Sequence, residues 1–267
     1  MATNKFRAVI LVSYVVLMLI YLLFPLFIVV PMSFSETTFL AFPPTGFTWH
    51  WYEDFFSSAG WTSATYRSLF IGLMSAMLAT VVGTLSSLAI AKASKRSGFI
   101  LRWIFLGPQL VPVIILALGI LLLYSQIGLY GSYVGIVIAH AILALPFVIT
   151  ATLGSVLQVG DTLEKAGRVL GATPWQAFWH VTFPNIKASI FAGFVFAFFV
   201  SFDELIVSLF VMGQNETLPM RIWADVRQEL SPVIAVVATL LILVTALIVV
   251  PAELMRRKSP LAKPVDG

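Results

Sequence analysis

The chain has 267 residues, 60% of them hydrophobic and 10% charged, with a mean hydropathy of +0.99, a formal charge of +4 and no cysteine. Water-soluble domains carry roughly 25% charged and about 45–50% apolar residues, so a soluble fold would leave a bare apolar surface, and most of the chain is expected in lipid. The absence of cysteine excludes disulfides, thiolate metal sites and cysteine nucleophiles, and the basic excess points to nucleic acid only if cytoplasmic loops do not account for it.

A bilayer core of about 30 Å takes roughly 20 apolar residues per helical crossing. The sequence predicts an all-α integral membrane protein with six crossings, at 8–32, 68–91, 103–125, 133–153, 188–212 and 233–252, read as a single domain over 1–267. The first run exceeds the roughly 7–15-residue core of a signal peptide and lacks a small-residue cleavage site, so it is read as retained. Only the uncharged turn-forming patch 128–132, Gly-Leu-Tyr-Gly-Ser, separates the third run from the fourth. All six are continuously apolar rather than alternating, which excludes the strands of an outer-membrane barrel.

With the N-terminus in the cytoplasm, thirteen lysines and arginines fall on that side, from Lys5 and Arg7 to Lys263, against Arg67, Arg221 and Arg227 outside. The positive-inside rule therefore places both termini in the cytoplasm, and the basic excess needs no nucleic acid. Of the outer segments, 33–67 is rich in aromatics, among them Trp49, Trp51, Tyr52 and Trp61, and is expected to form an interfacial belt rather than a docking surface. Residues 213–232 mix Glu216, Arg221, Asp225, Arg227 and Glu229.

The longest cytoplasmic loop, 160–186, reads as two short helices. Asp161 with Glu164 is a capping-box-like start and Gly171 a stop; Thr173 and Pro174 form an N-cap and first position, and Pro184 is expected to close the second helix. Such a pair either lies on the bilayer surface or presents a knob to a soluble partner.

In the fifth run, Asp203 and Glu204 carry carboxylates into the membrane, at a cost of about 2.5–3.5 kcal/mol each on insertion scales, so they are suspected of function. On a continuous helix Ser201, Glu204 and Ser208 share one stripe with Asp203 beside it. One carboxylate is expected to line a path for a cationic substrate, the other to serve structurally. Gln109, between Pro108 and Pro112, and His140 are weaker candidates, and His140 is read as a satisfied core residue. His50, His140 and His180 fall on three levels and cannot share a metal.

On the loop residues the chain resembles the permease subunits of binding-protein-dependent ABC importers, which share the methionine-importer-like (MetI-like) transmembrane fold. The family signature runs Glu-Ala-Ala, three residues, Gly, nine residues, Ile, one residue, Leu-Pro. Here Lys165-Ala166-Gly167, Gly171, Val181, Phe183 and Pro184 stand in that register, the spacing from Gly171 to Pro184 matching in full, with Glu164 one position ahead of the usual Glu. Trp51-Tyr52, Ser201-Phe202-Asp203-Glu204, Thr217-Leu218-Pro219 and Ser231-Pro232-Val233-Ile234-Ala235 are similar to the spermidine/putrescine permease branch.

The resemblance implies a coupling helix at 164–172 seated in a groove of a cytoplasmic ATPase, with Glu164, Lys165, Ala166, Gly167, Arg168, Gly171 and Pro184 as coupling residues. The small residues would allow close approach and the charged ones would form charge-assisted bonds. It also implies a dimer of ATPase subunits, a second, homologous permease, an external solute-binding protein and a place in the bacterial inner membrane. The chain has no Gly-x-x-x-x-Gly-Lys-Ser/Thr loop, so no cofactor is expected on it, and ATP and Mg would belong to the ATPase.

The expected function is that of a permease subunit of an ATP-driven importer, moving a small organic solute, a polyamine by the branch it resembles, by alternating access. An intramembrane enzyme is disfavoured, because there is no His-Glu-x-x-His, no cysteine and no histidine placed to activate a serine. The alternative is a stand-alone secondary transporter or channel using Asp203 and Glu204. That predicts inverted-repeat halves with broken helices, neither of which is evident in the sequence.

Overall fold

Backbone polar groups in lipid must be satisfied within the protein, and continuously apolar runs leave the helix as the way to do it. The computed structural model describes the backbone of residues 2–228 and 230–258 and the side chains of 7–160, 163–228 and 230–247, and among these residues it contains helices and no strand. In chain order these are α1 (Ala2–Met32), α2 (His50–Ser57), α3 (Ala59–Lys92), α4 (Lys95–Leu106), α5 (Val113–Ile127), α6 (Tyr133–Val169), α7 (Pro174–Ala177), α8 (Phe183–Phe202), α9 (Ile206–Val211), α10 (Leu218–Gln228) and α11 (Val233–Lys258).

The count of six crossings is not reproduced one for one. Among the described residues four helices are long and apolar enough to span, Arg7–Met32, Ala59–Lys92, Tyr133–Gly160 and Pro174–Phe202. A fifth arises if α4 and α5 are one crossing bent by 100° through a 3-10 turn at Gly107–Leu110. The bend has a local cause: Pro108 and Pro112 donate no backbone hydrogen bond, and Pro112 directly precedes α5. The described apolar part of the last helix, Val233–Leu247, is shorter than a crossing.

The predicted fifth crossing is also broken, after Phe202. The broken helices absent from the sequence reading are therefore present in two places. Pro184 is corrected as well: rather than closing a helix, it lies in the first turn of α8, directly after a π-helical turn at Phe178–Thr182. Proline has no N–H for the carbonyl one turn back, and the helix widens there instead of ending.

The chain packs as two compact units, Met1–Thr62 with Ile222–Gly267, and Ser63–Arg221. In the first, α11 packs on α1 and α2. The segment after α1 is tied down by Ser33 Oγ to Tyr52 Oη at 2.8 Å and by the Trp51 indole N–H to the Ser35 carbonyl at 2.7 Å, with Phe34 packed on Trp49 and Tyr52. Trp51 and Tyr52, expected in an interfacial belt, here anchor this segment, Trp51 at a backbone carbonyl and Tyr52 at a side chain.

In the second unit α6 is the central post, with α8 packed along it and α5 packed on α9. Small residues let the backbones close up: Ala76, Ala79, Ala141, Ala144 and Ala197 are buried around Val148. A Cβ at Gly83 would come 2.7 Å from Val148 Cγ1, and one at Gly193 would come 3.2 Å from Val148 Cα. Close packing of small residues is the main source of helix association where lipid supplies no hydrophobic drive. Ser87 and Thr152 add a buried 2.7 Å hydrogen bond between α3 and α6.

Candidate functional site

The loop at 160–186 is shaped by two glycines. Gly160 interrupts α6 at φ 58°, ψ 177°, a region essentially restricted to glycine, and redirects the helix into the segment that ends at Val169. Gly171 (φ 92°) then terminates it in a Schellman motif: its N–H donates to the Arg168 carbonyl at 3.0 Å, and that of Ala172 to Gly167 at 3.1 Å. Thr173 starts α7 with a full capping box, its hydroxyl accepting from the Gln176 N–H while the Gln176 side chain accepts from the Thr173 N–H. The side chain of Asp161, expected to open the first helix, lies outside the described residues.

What the loop offers outward differs from the expectation. Glu164 does not face outward alone; its carboxylate takes Lys92 Nζ of α3 at 2.9 and 3.1 Å. Gly167 is half-buried, with Ala177 and Val181 of the same chain within van der Waals reach of any Cβ added there. Lys165, Ala166, Arg168, Gly171 and Pro184 are exposed. The most exposed of the loop's large apolar side chains are Leu170 at 89% and Val169 at 87%, neither singled out from the sequence, followed by Trp175 at 69%. Their signal was present: two branched apolar residues directly before the terminating glycine of a loop helix.

The second site is the break in the fifth run. α8 stops at Phe202, Asp203 to Leu205 carry the chain across, and α9 restarts at Ile206. Asp203 is exposed and Glu204 half-buried. Glu204 Oε1 accepts the Val207 N–H at 2.9 Å, capping α9, and the Glu204 carbonyl accepts the Ser208 hydroxyl at 2.8 Å.

Ser201 and Ser208 do not line an open face. Both are buried and both meet His140 of α6: Ser201 Oγ lies 2.9 Å from Nδ1 and Ser208 Oγ 3.2 Å from Nε2. Because the Ser208 hydroxyl hydrogen already goes to Glu204, that serine can only accept from the ring. Nε2 therefore carries the proton, and Nδ1 accepts from Ser201. His140 is thus a satisfied core residue, and it joins the two sides of the break. Sequence spacing put the serines on one stripe; it did not reveal that the stripe faces inward. Gln109 is exposed in the turn between α4 and α5. Among the described residues no three His, Asp or Glu side chains are grouped to hold a metal.

Residues 79–258 match the family model for the binding-protein-dependent transport system inner membrane component. The chain belongs to this family: it is an ABC-importer permease, a membrane subunit that is not itself an enzyme. It is 30% identical over 241 residues to the spermidine/putrescine transport system permease protein PotC of Haemophilus influenzae, covering 90% of this chain and 93% of that one. It is 27% identical to the putrescine transport system permease protein PotI of Escherichia coli K12, over 83% and 82% of the two chains. In fold it is similar, at a TM-score of 0.72 and 14% identity over 96% and 98% of the two chains, to a bacterial ABC transporter involved in import of the acidic polysaccharide alginate.

Proposed function

We propose that this chain is the permease subunit of an ATP-driven polyamine importer of the bacterial inner membrane, with both termini cytoplasmic. It acts as one permease domain beside a second, homologous permease, takes its solute from an external binding protein, and moves it by alternating access. Its loop docks in a groove of an ATPase dimer that holds the ATP and Mg. In this reading Val169 and Leu170 insert into the partner while Lys165, Ala166 and Arg168 border them, Glu164 is held by Lys92, and Gly167, Gly171 and Pro184 shape the loop.

The observation that carries the docking reading is the pair of nearly fully exposed branched side chains that the Gly171 motif holds at the loop's tip. Apolar side chains in water at a cytoplasmic loop gain from burial in a partner. The polyamine reading is supported by the likeness to two polyamine permeases, and by an exposed and a half-buried carboxylate at a break in a membrane helix, a suitable pair for an oligocation. Asp203 and Glu204 line the path; Ser201 and Ser208 support it through His140.

The test is uptake of labelled spermidine into proteoliposomes carrying the complex purified with this chain, with ATP and without. ATP-dependent uptake that falls at least tenfold in Asp203→Asn or Glu204→Gln is the expected result. A chain that purifies with no ATPase and carries solute without ATP would replace this reading with the stand-alone carrier, a reading that the two broken helices favour on their own.

A further inference from the structure

Where α3 ends and α4 begins lies a cavity of about 360 Å³ that neither the docking loop nor the break at Asp203 uses. Its lining combines apolar Ile90, Phe99 and, from α6, Leu157 with Ser94, Lys95 and Arg102, and no acidic residue lines it. The imbalance of charge is marked. Lys92, just before, is matched by Glu164, whereas Lys95, Arg96 and Arg102 form no ion pair among the described residues. Lys95 and Arg96 are also the first two residues of α4, whose first turn contains no acid. The helix dipole disfavours cations there and favours an anion.

Cations without acidic partners beside apolar side chains, at the end of a membrane-spanning helix, complement one ligand class. We propose that this cavity binds an anionic phospholipid, its phosphate held by Lys95 and Arg102 and its acyl chain lying along Ile90, Phe99 and Leu157. Arginine offers a planar fork to phosphate oxygens, and lysine a mobile point charge. Phe99, Ile100, Trp103 and Ile104 of α4 are all exposed, which continues the apolar surface for the chain. The free phosphate ion shares the headgroup's charge but gains nothing from these apolar side chains. The inference rests on the family's place in a membrane, not on the cargo.

The test is native mass spectrometry of the intact purified complex, delipidated and then titrated with phosphatidylglycerol, with phosphatidylcholine of the same acyl chains, or with inorganic phosphate. The expected result is that phosphatidylglycerol stays on this chain at least tenfold more than phosphatidylcholine. Lys95→Gln and Arg102→Gln each lower that retention about fivefold, while Arg96→Gln, the same charge change outside the cavity, leaves it unaltered. Leu157→Trp, which fills the cavity's apolar part with every charge in place, displaces the lipid and guards against misassembly of the charge variants. Equal retention of both lipids, an equal loss in Arg96→Gln, displacement of the lipid by millimolar phosphate, or cross-linking of position 95 to another protein in native membranes would each overturn the proposal.

Discussion

His140 shows how much of the membrane architecture depends on one polar side chain. With both ring nitrogens engaged, it joins the last turn of α8 to α9 across a stretch of chain that has left the helix. In His140→Ala the Ser201 and Ser208 hydroxyls lose that partner in the interior. Hydrogen bonds between membrane helices average about 0.6 kcal/mol and a stranded buried group costs about 1–3 kcal/mol, so a loss of roughly 1–3 kcal/mol is expected. The check is the thermal unfolding midpoint of the purified complex, and an unchanged midpoint would refute the role. Glu204 divides its duties differently, because Glu204→Gln keeps an oxygen for the Val207 N–H while removing the charge. That substitution separates transport from capping, whereas Glu204→Ala loses both and costs a further 0.5–2 kcal/mol or so in stability.

Helix existence was legible in the sequence because long apolar runs have few other solutions in lipid, and the turn at 128–132 was legible because Gly128, Gly131 and Ser132 carry their turn chemistry locally. The same holds for Gly171, Thr173 and Pro174, whose capping is a matter of neighbours in the chain. Long-range partners were not legible. Lys92 and Glu164 are 72 positions apart, and the distance from His140 to its serines is 61 and 68 positions, so no periodicity could announce them. Pro184 misled for a related reason: a proline stops a helix only where the chain has no wider turn available, and a π turn supplied one. Gly160 is the element-scale hinge that follows from these facts. Gly160→Ala forces a side chain into a backbone conformation reserved for glycine and costs about 1–3 kcal/mol. Under the coupling reading it also re-aims the whole loop. The expected outcome is an importer that still hydrolyses ATP but no longer responds to loaded binding protein, read as the ratio of stimulated to basal ATPase rate.

For the molecule as a whole, the exposed apolar surface is of two kinds. On α1 the side chains of Val9 to Phe27 are largely exposed, which suits a helix bathed in lipid. Val169 and Leu170 are exposed on a loop whose neighbours Lys165 and Arg168 are charged, which suits a protein partner. Val169→Asp with Leu170→Asp separates the two: membrane insertion is unaffected, while the ATPase no longer co-purifies with the chain in mild detergent. Retention of a stoichiometric ATPase by this variant would remove the tip from the interface.

The break after Phe202 also bears on the order in which the chain is made. α9 has only six residues and cannot cross a bilayer as an independent segment. The regular helical ladder is interrupted before it, at Asp203 to Leu205, where the Glu204 carbonyl takes the Ser208 hydroxyl instead, because lipid supplies no partner. Its anchor, His140, belongs to α6 and leaves the ribosome more than sixty residues earlier. The post is therefore in the membrane before the broken segment arrives, and the break settles against a finished surface. A circular permutant that emits α8 and α9 first would reverse that order, presenting the insertion machinery with a half-helix that has nothing yet to lean on.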